Sequence, residues 1–173
     1  MISLRDELKI REKAVNPVRI GLLGTGQMGT DVVAEVKMMQ GIDVVIAVDI
    51  NLDRARDSYK IAEVGGEVVE AHSAAEADSA VLAGKRVISS DYRIATDMRT
   101  VDVVLDATGV PEIGSRAALR AVRNGKQLAM MNVEADITVG PILNWYALQK
   151  GVLYALAAGD EPAACKELYD FAD

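Results

Sequence analysis

Gly24-Thr25-Gly26-Gln27-Met28-Gly29 lies directly after the apolar run Val18 to Leu23 and directly before a stretch with apolar residues at Met28, Val32, Val33, Val36 and Met39. The short apolar run suits a buried strand, and the later spacing suits a helix. Such a strand, glycine turn and helix can hold a dinucleotide's pyrophosphate. Gly24 permits the tight turn, Gly26 lets the phosphates approach the backbone, and Gly29 allows close contact of helix and strand, while the helix N-terminus offers unpaired N–H groups. A second apolar run, Val44 to Val48, ends in Asp49. That places an acid at the ~20-residue interval from the turn where a carboxylate binds an adenosine ribose. The expected cofactor residues here are therefore Gly24, Thr25, Gly26, Gln27, Met28, Gly29 and Asp49. A glycine turn that only packs a strand on a helix, in a nucleotide-free domain, is the alternative.

Asp49 would accept a hydrogen bond from a ribose 2′-hydroxyl and repel a 2′-phosphate, which favours NAD over NADP. Arg54 or Arg56 could offset that repulsion, although both lie a turn into the next helix. A further strand ends in Asp106-Ala107-Thr108-Gly109-Val110-Pro111-Glu112. Its small residues would let a flat ring or ribose lie against the backbone, so Ala107, Thr108 and Gly109 join the cofactor set; an ordinary strand-to-helix turn is the other reading. Met130-Met131-Asn132-Val133-Glu134-Ala135-Asp136 brings an amide and two acids to the next strand end, and Asp160 and Glu161 add two more. Asn132 is assigned to the cofactor. Glu134, Asp160 and Glu161 are candidates for catalysis or for a divalent metal, because gathered carboxylates need a cation, a substrate hydroxyl or a shared proton. Solvated loop acids, or acids favoured at helix N-termini, explain the same residues without chemistry. No residue is a secure catalytic acid or base. His72 and Cys165 lack partners that would make a triad, a nucleophile or a metal site.

These candidates must be held by alternating elements. A leading helix starts at Ser3-Leu4-Arg5-Asp6 and ends before Asn16-Pro17, so residues 1–16 precede the nucleotide fold and residues 17–173 form it. Helices are expected from Leu52 to about Val64 behind an Asn51 cap, from Ser73-Ala74-Ala75-Glu76 to Gly84, from Pro111 to Asn124, from Ile142 to Lys150, and after Gly159-Asp160-Glu161-Pro162. Strands are expected at Arg86 to Ser89, Val101 to Ala107, Gln127 to Met131 and Val152 to Ala157. This alternation predicts a single α/β domain with a doubly wound parallel sheet of the Rossmann type, with ligands at the carboxyl ends of the strands.

Bulk composition bounds the rest. The chain has 173 residues, is 50% apolar, and carries a formal charge of −7. Length and apolar content support one domain with a continuous core, and the acidic balance argues against nucleic acid as a partner. One cysteine excludes an internal disulfide, and no apolar stretch reaches the ~18 residues of a membrane span or forms a signal peptide. A cytoplasmic protein without a membrane partner is expected.

Taken together, the glycine turn, Asp106 to Glu112, Met130 to Asp136 and Ala158-Gly159-Asp160-Glu161-Pro162 resemble the homoserine-dehydrogenase-like NAD(P)-dependent oxidoreductases with a C-terminal SAF domain. Within these, the chain is most similar to bacterial 1-deoxy-D-xylulose-5-phosphate-reductoisomerase-like proteins. The likeness covers nearly the whole chain, including the leading Met1 to Leu8. It implies hydride transfer with NAD(P), NADPH in some relatives, on a small hydroxylated substrate, phosphorylated or not. Asn132-Val133-Glu134 is similar to an Asn-Lys-Glu stretch of reductoisomerases without its lysine, and Asp160-Glu161 is a fainter echo of an Asp-Ser-Glu-His stretch. Relatives continue into catalytic, dimerisation and SAF domains, so the chain is expected to be the nucleotide-binding part of a homo-oligomeric parent. A non-catalytic module that senses a nucleotide or docks a partner is the competing function.

Overall fold

The computed structural model describes residues 3–157 and 168–172. Helix α1 (Leu4–Lys13) begins at Ser3, whose hydroxyl accepts the Asp6 N–H, and it buries none of its residues. It sits beside Gly41, whose amide donates to Glu12 Oε2 at 2.8 Å. The elements that follow alternate as the apolar pattern requires: β1 (Val18–Leu23), α2 (Gln27–Lys37), β2 (Ile42–Val48), α3 (Leu52–Ile61), β3 (Val68–Glu70), α4 (Ala74–Leu82), β4 (Arg86–Ser89), α5 (Tyr92–Asp97), β5 (Val103–Asp106), α6 (Pro111–Arg123), β6 (Gln127–Met130), α7 (Val133–Lys150) and β7 (Tyr154–Leu156).

The seven strands form one parallel sheet in the order β3-β4-β2-β1-β5-β6-β7. Helices cover both faces. Ile20, Leu22, Val44 and Ile88 pack with Val33, Val36, Ala55 and Tyr59 of α2 and α3. Leu23, Val87, Val104 and Leu128 pack on the other side with small residues of α6 and α7, among them Ala117, Ala121, Ala135 and Ala147. This is a Rossmann-like α/β fold. The chain leaves β1 towards β2 on one side and reaches β5 on the other, so the order reverses between β1 and β5. A crevice opens at the strand ends of such a switch point.

Three elements depart from the sequence reading. β3 and α5 are too short to show a period, and neither was expected. The helix expected from Ile142 begins at Val133 and runs through Pro141. Proline removes one backbone donor, but Asn132 caps the helix by accepting the Ala135 N–H at 3.1 Å, and Ala135, Gly140, Leu143 and Ala147 anchor it on both sides of Pro141. Gly159 to Pro162 lie outside the described residues, and of the helix expected after them residues 168–172 are described and are helical.

Candidate functional site

The parallel ladder continues one residue past four strands, which brings their ends level. Gly24 donates to the Val48 carbonyl at 2.8 Å, Asp49 to Ser89 at 3.0 Å, Ala107 to Leu23 at 2.8 Å and Met131 to Asp106 at 2.8 Å. The glycine turn, Asp49, the Ala107–Gly109 loop and Asn132 are thereby gathered on one rim.

The three glycines of the turn answer different demands. Gly24 has φ +85°, and a Cβ there would lie 2.6 Å from the Ala107 carbonyl oxygen. A Cβ on Gly29 would overlap the Gly24 carbonyl oxygen. The fold itself therefore requires both. Gly26 has an ordinary φ of −66°, and a Cβ there would meet nothing within 4 Å. Gly26 is the N-cap of α2, no side chain caps that helix, and Gly26, Gln27 and Met28 are exposed. A helix N-terminus without a side-chain cap leaves amide donors available to an anion.

Asp49 closes the turn from below. Its Oδ2 accepts the Thr25 N–H at 2.9 Å and the Thr25 hydroxyl at 3.0 Å, and its Oδ1 accepts the Asn51 N–H at 2.9 Å. An open cleft of about 790 Å³ runs between the turn and the ends of β2, β4 and β5, with Gly26, Asp49, Arg54, Ala107 and Thr108 in its lining. A smaller hollow of about 370 Å³ adjoins it at Gln27, Thr30 and Arg54. Of the two arginines considered for a 2′-phosphate, Arg54 thus faces the cleft, whereas Arg56 donates to the Val68 carbonyl at 3.2 Å. A separate hollow near Arg86 lies at the opposite end of β2 and takes nothing from the turn.

Sequence reasoning missed the wall that faces Asp49. Ser90, Asp91, Tyr92 and Arg93, from the end of β4 and the start of α5, line the cleft, as does the almost fully exposed Ile50. The signal was present in Ser89-Ser90-Asp91, where Asp91 caps α5 by accepting the Arg93 N–H at 2.9 Å. Without the strand order, nothing placed that cap beside β2.

Asn132 is at the rim but turned inward. It is 1% exposed, its Nδ2 reaches Asp106 Oδ2 and Thr108 Oγ1 at 3.2 Å each, and its Oδ1 caps α7. Its side chain holds protein atoms rather than lining the cleft. Burial, the largest influence, pushes the Asp106 carboxyl above the usual carboxylate range against the pull of hydrogen bonds from Thr108 and Asn132. Met28 is exposed and outside the cleft lining, and Gly109 takes φ +61° just beyond Thr108. Glu134 is an exposed acid in the first turn of α7, and Asp160, Glu161 and Cys165 lie outside the described residues. Among the described residues no group of three histidines, cysteines or acids converges as a metal site would need. His72 is exposed, its ring 3.7 Å from Glu70.

No helix among the described residues is long and apolar enough to cross a membrane. No protein-family model and no curated protein matches the chain. Solved structures do. The myo-inositol dehydrogenase of Lactobacillus casei, solved with NAD(H) and myo-inositol, superposes with a TM-score of 0.62 at 16% identity over 90% of this chain and 42% of its own. The biliverdin reductase of Synechocystis, solved with biliverdin and NADP+, gives 0.60 at 20% over 81% of this chain and 37% of its own. A homoserine dehydrogenase of Thiobacillus denitrificans gives 0.59 at 23% over 79% of this chain and 28% of its own. The chain spans less than half the length of these proteins, and it shares the fold of the part of each that it covers.

Proposed function

We propose that the chain is the nicotinamide-dinucleotide-binding domain of an NAD(P)-dependent oxidoreductase that transfers hydride to or from a small hydroxylated substrate, phosphorylated or not, and that NAD is its better cofactor. Gly26 carries this reading. Gly24 and Gly29 are explained by packing, but nothing in the protein demands a glycine at Gly26. A pyrophosphate crossing the uncapped start of α2 does demand one, because any side chain there would stand in its path. The residues present fit such a cofactor. The amides at the start of α2 would hold the phosphates, Asp49 keeps an acceptor site on Oδ1 for a ribose hydroxyl, and Ala107 and Thr108 line the cleft with small side chains. When bound, the dinucleotide supplies the hydride chemistry, and the chain's share is to bind and orient it. Substrate closure then falls to a longer parent, in keeping with the resemblance to SAF-domain oxidoreductases.

The test is a fluorescence titration of the purified chain with NADH and with NADPH, repeated on Gly26→Val. Saturable binding of NADH is expected, with binding lost in Gly26→Val while the chain stays folded, its melting temperature lowered only by the poorer N-cap. No saturation with either cofactor, or a Gly26→Val chain that binds like the parent, overturns the reading.

A further inference from the structure

One fully buried carboxylate at the rim has no part in the function proposed above. Asp106 Oδ1 accepts the Thr108 N–H at 3.0 Å and the Thr108 hydroxyl at 2.7 Å, while Oδ2 accepts Asn132 Nδ2 at 3.2 Å. None of the ion pairs among the described residues includes it. α6 crosses over this pair at Gly114, where a Cβ would lie 2.6 Å from Asn132 Nδ2 and overlap the Asp106 carboxylate. Asn132 in turn starts α7 through its bond to Ala135. The loop after β5, the face of α6 and the first turn of α7 therefore meet at a single acid.

Burying a carboxylate without a cation is unfavourable by several kcal/mol in an apolar site, which hydrogen bonds to the charge offset only in part. What this arrangement provides is connection. Thr108 is held by Asp106, its Cα would lie 2.8 Å from a Cβ on Gly24, and it lines the cleft beside Ala107. Movement at Asn132 would thus pass to the cleft wall and to the glycine turn.

We propose that Asp106 is a positioning residue for the dinucleotide site: through Thr108 and Asn132 it locks the Ala107–Gly109 loop to the N-terminus of α7 and so fixes the wall against which the cofactor lies. This rests on the reading of the cleft as a dinucleotide site. Asp106→Asn would set one NH2 group against another, because the Asn132 oxygen is already held by the Ala135 N–H. The exchange of both residues, Asp106→Asn with Asn132→Asp, restores a donor opposite a carboxylate and puts the acid at a helix N-cap, where it is favoured.

Amide hydrogen exchange at Thr108 and Ala135, measured beside NADH titration, tests this. In Asp106→Asn both amides should exchange about tenfold faster and NADH should bind about tenfold more weakly, each about 1.4 kcal/mol. The exchanged pair should recover both. Faster exchange at Thr108 alone, unchanged NADH affinity, or an exchanged pair that stays impaired would overturn the proposal. Should Asp106→Asn fail to fold, Thr108→Val, which removes only the hydroxyl's bonds, is judged on the same Ala135 amide and the same affinity. A parent chain that binds no NADH would overturn the reading of the cleft, while the two amides still decide whether the loops are locked together.

Discussion

Replacing Asp49 by asparagine removes the charge while keeping most of the geometry. The amide keeps an oxygen for the two Thr25 bonds, at 2.9 and 3.0 Å from Asp49 Oδ2, so the glycine turn stays closed, and gives up only the Asn51 N–H bond to Oδ1, which an NH2 group cannot accept. Serine would lose those bonds as well and confuse the result. What asparagine removes is a negative charge beside the place a ribose 2′-substituent would occupy. A carboxylate and a phosphate of about two charges, about 5 Å apart at an effective dielectric constant of about 40 to 80, repel by roughly 2 to 3 kcal/mol. Arg54 lines the same cleft and offsets part of this. A net change of about 1.4 kcal/mol, tenfold in relative affinity, is the least to expect.

The assay is titration of NADH and NADPH into the parent and Asp49→Asn at low and high salt. The parent should prefer NADH, and the variant should move the ratio of dissociation constants about tenfold towards NADPH. The shift should shrink as the Debye length falls from about 10 Å at 0.1 M to about 3 Å at 1 M. Arg54→Ala should move the ratio the other way. An unchanged ratio in Asp49→Asn would refute the electrostatic reasoning. A parent that already prefers NADPH would show that Arg54, rather than Asp49, governs the 2′ position.

Other expectations follow from the packing. Gly24→Ala and Gly29→Ala should each lower unfolding stability in urea by about 2 kcal/mol or more, since backbone atoms fill the space a methyl would need, whereas Gly26→Val meets no atom and should cost no more than about 1 kcal/mol through the poorer N-cap. Gly114→Ala gains about 1 kcal/mol of helix propensity yet should be destabilising overall, because its methyl meets Asp106 and Asn132; a stabilised variant would contradict the packing described here. Asn51→Ala should cost about 1 kcal/mol by removing the α3 cap, in which Asn51 Oδ1 accepts the Asp53 and Arg54 amides at 3.0 and 3.3 Å. Burial raises the Asp106 carboxyl above its unfolded value, so the native chain holds more protons than the unfolded chain between the two values. Its contribution to stability is present below the unfolded value and is lost as pH rises through the native one; denaturation curves of Asp106→Asn should lack that part of the slope.

Most of the sheet was legible because buried parallel strands are apolar along their whole length and their helices carry an apolar face. Val18 to Leu23, Val44 to Val48 and the cap at Asn51 all speak locally. β3 and α5 did not, since three and six residues hold no period. The start of α7 was misread for a definite reason. Pro141 looks like a compulsory break, while the features that carry the helix through it, the Asn132 cap and the anchors at Ala135 and Leu143, act through contacts with other elements.

Asp49 and Asp106 show why a strand-end acid has no meaning until its neighbours are known. In sequence they look alike: each closes or follows an apolar strand and each precedes a helix. Both strands also flank β1. The difference comes from what the next elements bring. β2 is followed by Ile50 and Asn51, which leave the Asp49 carboxylate beside an open cleft with Oδ1 holding one bond. β5 is followed by a threonine that folds back onto Asp106, by Gly114 passing within contact, and by an asparagine 26 residues away that closes the last side. An acid whose bonds and space are taken up by the protein can orient a ligand only through other groups, whereas one with an acceptor site facing a cavity can touch it directly. Glu134 belongs to neither class, because it projects from the first turn of α7, where the helix N-terminus alone makes an exposed acid favourable.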